Sequence, residues 1–195
     1  NLFIAFAIVL LLISCGKKEE APKVEQKKTE TQQTQNTSSS SSQIYKITGV
    51  DEAKGNKILP NVTWEENGKK VSLSDYKGKV LLINFWATWC APCKKEMPDL
   101  SEINKELKDK DFKMYGVNIF FKGSPSIESV LQAIPVSYPI LDGNDAVVAA
   151  FEKAMGSKIE GVPTTLIIDK EGKIVDSMVG MRDKDTFMSA IKKYL

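Results

Sequence analysis

Two cysteines separated by two residues, Cys90 and Cys93, are the part of this sequence best suited to chemistry. They lie in the stretch NFWATWCAPC and are two of three cysteines in a chain without histidine. A zinc site usually needs four cysteine or histidine ligands, and covalent haem attachment needs a histidine directly after the second cysteine, where this chain has Lys94. A structural crosslink between residues three apart closes a small loop and would add little stability. We therefore interpret the pair as a redox-active dithiol and expect no metal or other cofactor.

The elements on either side of the pair are predicted to place it where α/β proteins carry their sites. Residues 79–86 (KVLLINFW) form a continuous apolar run, typical of a strand covered on both faces. Residues 92–108 carry apolar side chains at spacings of three and four, which predicts an amphipathic helix. The cysteines would thus follow the carboxyl end of a central strand and open a helix. The positive end of that helix, with Lys94 and Lys95, favours a Cys90 thiolate, which we expect to be exposed.

The rest of the compact sequence, from about Ile44, predicts further strands alternating with helices. The Asn67-Gly68 pair is a turn signal within a β-hairpin. The predicted elements are hairpins of residues 62–64 with 70–73 and 164–169 with 173–179, strands at 112–120 and 138–141, and helices at 126–134, 145–155 and 183–195. This order predicts an α/β fold with a mixed central sheet flanked by helices.

The block SLSDYKGKVLLINFWATWCAPCKKEMP, together with the hairpin before it, carries a resemblance to a known family. WCxxC after an NFW strand resembles the thioredoxin fold, and the whole block resembles the membrane-attached thioredoxin-like proteins of the TlpA, ResA and CcmG type. The resemblance spans about residues 58–195 and implies a thioredoxin-like fold with an N-terminal β-hairpin and a TlpA-type central insertion at 121–159. It also implies that Cys90 attacks a substrate disulfide and that Cys93 resolves the mixed disulfide.

The same resemblance assigns substrate-binding residues around the cysteines. The run Val162-Pro163-Thr164 matches the family's cis-proline loop, which faces the cysteine pair and offers backbone groups to an extended substrate segment. Trp89, beside Cys90, is assigned to the substrate surface, with a half-buried packing role as the alternative. Pro92 fits the first turn of the helix, where its missing N–H costs nothing, and is assigned to the same surface.

Two polar positions distinguish this chain within the resemblance. Asn84 stands where cytoplasmic-type thioredoxins carry a buried aspartate below the disulfide. Glu96, three residues after Cys93, matches a glutamate of the ResA-like proteins that lies near the cysteines. We expect Glu96 to be catalytic and to relay a proton to or from Cys93. The alternative is a solvated glutamate on the helix surface.

The third cysteine, Cys15, follows an apolar run of about twelve residues, which is shorter than the roughly 20 residues of a membrane-spanning helix and suits a secretory signal. The run Leu12-Ile13-Ser14-Cys15 resembles the lipobox of bacterial lipoproteins, which implies that Cys15 is lipidated; a cysteine that merely ends a hydrophobic helix is the alternative. The predicted domains are an N-terminally incomplete signal peptide (1–14), the lipidated cysteine with a disordered tether (15–43), and a thioredoxin-like domain (44–195).

Together these features predict a thiol-disulfide oxidoreductase that is lipid-anchored on the extracytoplasmic side of a bacterial cell envelope. The resemblance implies a reductant that takes electrons from a membrane thiol-disulfide carrier and passes them to exported disulfide-containing proteins, such as apocytochrome c. A net charge of +2 offers no basis for nucleic-acid binding. Two alternatives stay open: a peroxiredoxin-like thiol peroxidase, although residues 83–87 lack its proline and threonine, and a non-catalytic binding lipoprotein on the same fold.

Overall fold

A computed structural model of the protein describes residues 43–120, 123 and 125–195. The predicted signal peptide, the lipidation site Cys15 and all of the predicted tether except Gln43 lie outside the described residues. Among the residues described, no helix combines the length and the apolar character needed to cross a membrane.

Eight strands form one sheet in the order β3-β2-β1-β6-β5-β4-β7-β8. The strands are β1 (Ile44–Asp51), β2 (Asn61–Glu66), β3 (Lys69–Ser72), β4 (Val80–Trp86), β5 (Phe112–Asn118), β6 (Ile140–Asp142), β7 (Thr164–Ile168) and β8 (Ile174–Val179). The helices are α1 (Ala91–Glu106), α2 (Ile127–Ala133), α3 (Asp145–Met155) and α4 (Lys184–Lys192), with a short 3-10 helix at Leu73–Tyr76. Because β4 runs parallel to β5 and antiparallel to β7, the predicted mixed sheet is confirmed.

Strand β1 is the element that the sequence prediction missed. It pairs antiparallel with β2 and parallel with β6, and so joins the N-terminal hairpin to the rest of the sheet. None of its residues is fully buried, so its apolar pattern is weak. It also contains Gly49, where a Cβ would lie 2.6 Å from the Thr63 hydroxyl oxygen. A glycine in a strand often marks such a close approach, yet in the sequence it is a signal against a strand.

The central strand β4 separates two apolar layers because successive side chains point to opposite faces of a sheet. The disulfide-side layer holds both cysteines and apolar residues of α1, α2 and α4, and β4 contributes to it Val80, Leu82 and Trp86. The hairpin-side layer holds apolar residues of α3 and of the N-terminal hairpin, and β4 contributes to it Leu81, Ile83 and Phe85. All six of these β4 side chains are buried, as the continuous apolar run predicts.

Candidate active site

The end of β4 and the start of α1 position the two cysteines. After β4, the chain turns through residues 87–89, and the Cys90 N–H donates to the Ala87 carbonyl at 3.0 Å. Cys90 is the N-cap residue of α1 and is joined to Cys93 by a disulfide, with the two Cα atoms 5.3 Å apart. The Cys93 N–H points at Cys90 Sγ at 3.2 Å. A backbone N–H at a helix start stabilises negative charge, so the same contact favours the Cys90 thiolate once the disulfide is reduced.

The sulfur atoms are less accessible than the sequence predicts. Cys90 is 2% exposed and Cys93 is 1% exposed, so the expectation of an exposed Cys90 sulfur is wrong for this oxidised form. The reason is the neighbouring loop of residues 161–163, whose Val162 carbonyl oxygen lies 3.5 Å from Cys90 Sγ. Val162 therefore covers part of Cys90 Sγ in this form.

The loop before β7 has the predicted conformation. The Val162–Pro163 peptide bond is cis, which confirms the expectation for this position. Val162 is partly exposed and Pro163 is buried. Thr164 is buried as well, and its hydroxyl donates to the Gly161 carbonyl at 2.7 Å, so its side chain holds the loop in shape while its backbone pairs with β4. The structure thus brings Val162 of the predicted loop against Cys90, and Pro163 and Thr164 follow it at the start of β7.

Exposed apolar side chains lie next to the cysteine pair in the chain and next to the loop before β7. Trp89 is 40% exposed, and its indole N–H donates to the Phe120 carbonyl at 3.0 Å. Pro92, the second residue of α1, is exposed beside it. Across the loop lie Val179 and Met181, which are 61% and 47% exposed and which the sequence analysis did not single out. Val179 is placed there because β8 pairs with β7, so no short-range sequence signal could have found it.

Glu96 is buried, with 1% of its surface exposed, so the alternative of a solvated surface glutamate is wrong. Its Oε1 accepts a hydrogen bond from Asn84 Nδ2 at 2.8 Å, and Asn84 also donates to the Thr165 hydroxyl at 3.0 Å. Its Oε2 accepts from the Arg182 backbone N–H at 3.3 Å. Asn84 of β4 and the loop before α4 therefore hold this carboxyl group, and Thr165 of β7 holds Asn84 in turn.

The environment of Glu96 suits proton transfer at neutral pH. Burial raises its pKa to about 7, against the opposing effects of the hydrogen bonds from Asn84 and Arg182 and of the Arg182 charge. A carboxyl group that titrates near the working pH can both take and return a proton. Glu96 lies three residues after Cys93 on the same helix, and side chains at that spacing are neighbours on one face. Glu96 and Cys93 therefore lie on the same buried face of α1.

Tyr138 lies in the disulfide-side layer with the cysteines and is buried. Its hydroxyl has no hydrogen-bond partner among the described residues. Burial, followed by the nearby charge of Glu96, raises the pKa of this phenol. The hydroxyl is therefore protonated at all physiological pH values. No cluster of histidine, cysteine, aspartate or glutamate suited to a metal ion is found within residues 43–120, 123 and 125–195.

Comparison with known proteins gives one consistent group. The family model described as Redoxin matches residues 53–193. Thiol-disulfide oxidoreductase ResA of Bacillus subtilis (strain 168) is 35% identical over 123 residues, which cover 62% of this chain and 65% of that protein, just under two thirds of its length. The ResA of Bacillus thuringiensis (strain Al Hakam) is 30% identical over 139 residues, covering 70% of this chain and 76% of that protein. A solved thiol:disulfide interchange protein of the thioredoxin family from Chlorobium tepidum TLS has a TM-score of 0.63 and 28% identity, covering 72% of this chain and 97% of that one.

Proposed function

The chain belongs to the Redoxin family, and from this premise we propose that its Cys90–Cys93 pair reduces disulfide bonds in exported proteins. Its ResA homologues and its buried cysteine pair make the domain a thiol-disulfide oxidoreductase of the TlpA, ResA and CcmG type, with a thioredoxin-like fold. The observation that carries the proposal is the cysteine pair at the start of α1, with one cysteine capped by a helix N–H and the other next to a buried acid.

The proposed reaction proceeds in two exchanges. In the reduced protein, the Cys90 thiolate attacks one sulfur of a client disulfide; a bond forms between Cys90 and the client, and the second client sulfur leaves as a thiolate. Cys93 then loses its proton and attacks Cys90 Sγ, so that the Cys90–Cys93 bond forms and the first client sulfur leaves. Two electrons pass to the client, and its two sulfurs take up two protons.

Glu96 supports the second exchange in this scheme. A thiol with an ordinary pKa of about 8.5 is mostly protonated at neutral pH, so Cys93 needs a base before it can attack. The Glu96 carboxylate takes that proton, and a pKa of about 7 lets it release the proton afterwards. Burial of both groups keeps water from competing for the transfer, since Cys93 and Glu96 are each 1% exposed.

Substrate binding is assigned to the exposed apolar surface formed by Trp89, Pro92 and Val162, with Pro163 and Thr164 shaping the loop beneath it. The Val162 carbonyl lies next to Cys90 and is the backbone group assigned to an extended client segment. Because Cys90 is almost fully buried, the proposed clients are unfolded or flexible proteins, such as an apocytochrome c before haem attachment.

A trapping experiment tests the function directly. Cys93→Ala should leave clients attached to Cys90 as mixed disulfides, which mass spectrometry identifies, while the double variant Cys90→Ala, Cys93→Ala traps none. The wild-type protein is assayed in parallel for reduction of insulin and for consumption of hydrogen peroxide. Trapped exported proteins with fast insulin reduction support the proposal. No trapped client, or peroxide consumption faster than insulin reduction, contradicts it and favours the peroxidase alternative.

The location is a separate part of the proposal. The lipobox-like run that ends at Cys15 supports a lipid anchor on the extracytoplasmic side of the membrane, where a membrane thiol carrier would return electrons to Cys90 and Cys93. Two or more acyl chains give stable anchoring, since each buried CH₂ contributes about 0.8 kcal/mol. Radiolabelled palmitate should enter the wild-type chain and not Cys15→Ala. Equal labelling of both would rule out lipidation at this residue.

A further inference from the structure

One short loop touches both functional parts of the site. The segment of residues 180–183, between β8 and α4, is called here the β8–α4 loop. Its Gly180 N–H donates to the Pro163 carbonyl at 2.8 Å, within the cis-proline loop. Two residues later, the Arg182 N–H donates to Glu96 Oε2 at 3.3 Å. Two hydrogen bonds, separated by two peptide units, therefore connect the cis-proline loop to the buried carboxyl group.

The Arg182 side chain keeps this loop in its present shape. Its Nη1 donates to the Gly180 carbonyl at 3.2 Å and to the Met181 carbonyl at 2.9 Å. Gly180 has a φ of 83°, in the left-handed region, and a Cβ at this position would lie 3.5 Å from Arg182 Nη1. These hydrogen bonds therefore hold the loop backbone in a conformation that glycine adopts without strain.

Charged or titratable groups approach Glu96 from the elements packed around it. Arg182 does so from the β8–α4 loop and Tyr138 from the segment before β6, while Cys93 and Asp99 lie three residues before and after Glu96 on α1. The Arg182 charge lowers the pKa of Glu96, whereas Asp99 raises it. Asp99 is held by the Lys184 N–H at 3.2 Å, at the end of the same loop. Arg182 thus provides the Glu96 carboxylate with a positive charge and a backbone N–H donor. Its side chain also holds the β8–α4 loop in shape.

We propose that Arg182 is a positioning residue through which a client bound at the cis-proline loop changes the proton affinity of Glu96. The inference rests on the proposed function, because it assumes a client segment beside Val162 and Pro163. The 3.3 Å bond from Arg182 to Glu96 is longer than the usual 2.9–3.0 Å, so a small movement of the loop breaks it.

The chemistry sets the direction of the coupling. In the mixed disulfide, Cys93 must lose its proton, so Glu96 must become a stronger base at that stage. A client that draws Gly180 outward with the cis-proline loop lengthens the Arg182 N–H contact to Glu96 and removes support from the ionised carboxylate. Glu96 then binds the Cys93 proton more tightly, and the resolving thiolate forms when it is needed. By linkage, the protonated form of Glu96 favours client binding to the same extent.

The test is a titration of the Glu96 carboxyl carbon by 13C NMR in the full-length chain carrying Cys93→Ala, assigned with Glu96→Gln. Cys90 is loaded either with 2-mercaptoethanol or with a short neutral peptide that contains one cysteine. We expect the midpoint of the Glu96 titration to be about half a pH unit higher in the peptide adduct than in the 2-mercaptoethanol adduct. This difference corresponds to a roughly threefold gain in proton affinity. In Arg182→Gln the Glu96 midpoints of the two adducts should be equal. Both should lie above the midpoint of the 2-mercaptoethanol adduct of the parent chain. With Arg182→Lys, which keeps the charge, part of the difference should return.

Two results would overturn the inference: equal midpoints of the two adducts in the parent chain, or an undiminished difference in Arg182→Gln. Thermal melting shows whether each variant is folded; if Arg182→Gln is not, an undiminished difference between the two adducts of Arg182→Lys overturns the inference in its place. Client trapping by the Cys93→Ala chain is scored separately. Trapping without a titration difference removes the coupling alone, whereas a titration difference without trapped clients removes the proposed function.

Discussion

The two apolar layers on either side of β4 are equally well buried but differ in chemistry. The hairpin-side layer is held by aromatic edge contacts, with ring centroids 5.0 Å apart both for Trp64 with Tyr115 and for Phe85 with Phe151. The disulfide-side layer contains both cysteines and is adjoined by Glu96, which alone among the described residues is a charged residue buried to this degree. Burying an acid costs free energy, whereas burying aromatic rings gains it. The comparison indicates that one layer supplies stability and the other gives up part of it for reactivity.

The largest expected effect is the loss of activity on removing a cysteine from the disulfide-side layer. Cys90→Ala should reduce insulin reduction at least about a thousandfold, to the uncatalysed rate, because it removes the attacking sulfur. Its stability should change little, since a disulfide between residues three apart constrains the unfolded chain weakly. Turnover and urea unfolding of oxidised wild type and variant check this. Substantial remaining turnover would show that Cys90 is not the nucleophile.

The converse substitution lies in the hairpin-side layer. Phe151→Ala should lower the free energy of unfolding by about 3–5 kcal/mol, because it leaves a cavity against Phe85. The folded fraction should keep its rate of insulin reduction. Phe151→Leu, which fills more of the space, serves as the matched control and should cost less. If Phe151→Ala lowered activity per folded molecule, the division of roles between the layers would be wrong.

A third prediction measures the cost of the buried acid. Glu96 binds its proton more tightly in the folded than in the unfolded chain, so the folded state holds more protons between pH 4.5 and 7 and stability falls as pH rises through that window. The loss should reach about 3 kcal/mol above pH 7 and be absent below pH 4.5.

The measurement for this prediction is urea unfolding of the oxidised protein at a series of pH values. Glu96→Gln should lack the decline between pH 4.5 and 7, because its side chain does not titrate. Asp99→Asn, three residues further along the same helix, is the matched control and should keep most of the decline. A wild-type stability that is flat across this window would mean that Glu96 is not held in a buried, protonated form.

The smallest effect concerns the other polar group of the disulfide-side layer. Tyr138→Phe should change the free energy of unfolding by less than about 1 kcal/mol and leave it unchanged or improved, because the hydroxyl is buried without a described partner. The pH dependence of insulin reduction should stay as in the wild type. A shifted pH profile would assign Tyr138 to the proton path of Glu96 and enlarge the reactive part of this layer.

Much of this architecture could be predicted from local sequence. The apolar run gives β4, and the period of three and four gives α1. The predicted helix of residues 145–155 agrees with α3 at both ends. The other two helix starts differ by one residue because Ser126 and Asp183 are N-cap residues, whose side chains accept hydrogen bonds from the first turn. The position of the two cysteines at the start of a helix could also be predicted, because both the strand before them and the helix after them have clear apolar patterns.

Only the tertiary structure decided the state of the groups around the cysteines. The sequence left open whether Glu96 is solvated, because its burial depends on Asn84 in another element and on Arg182, 86 residues away. The cover over Cys90 likewise comes from Val162, and β1 is a strand because β2 and β6 pair with it. Helix periodicity and capping depend on interactions within about four residues, so they can be predicted from local sequence. Burial and the pKa it shifts are set by whichever distant segments the fold brings together.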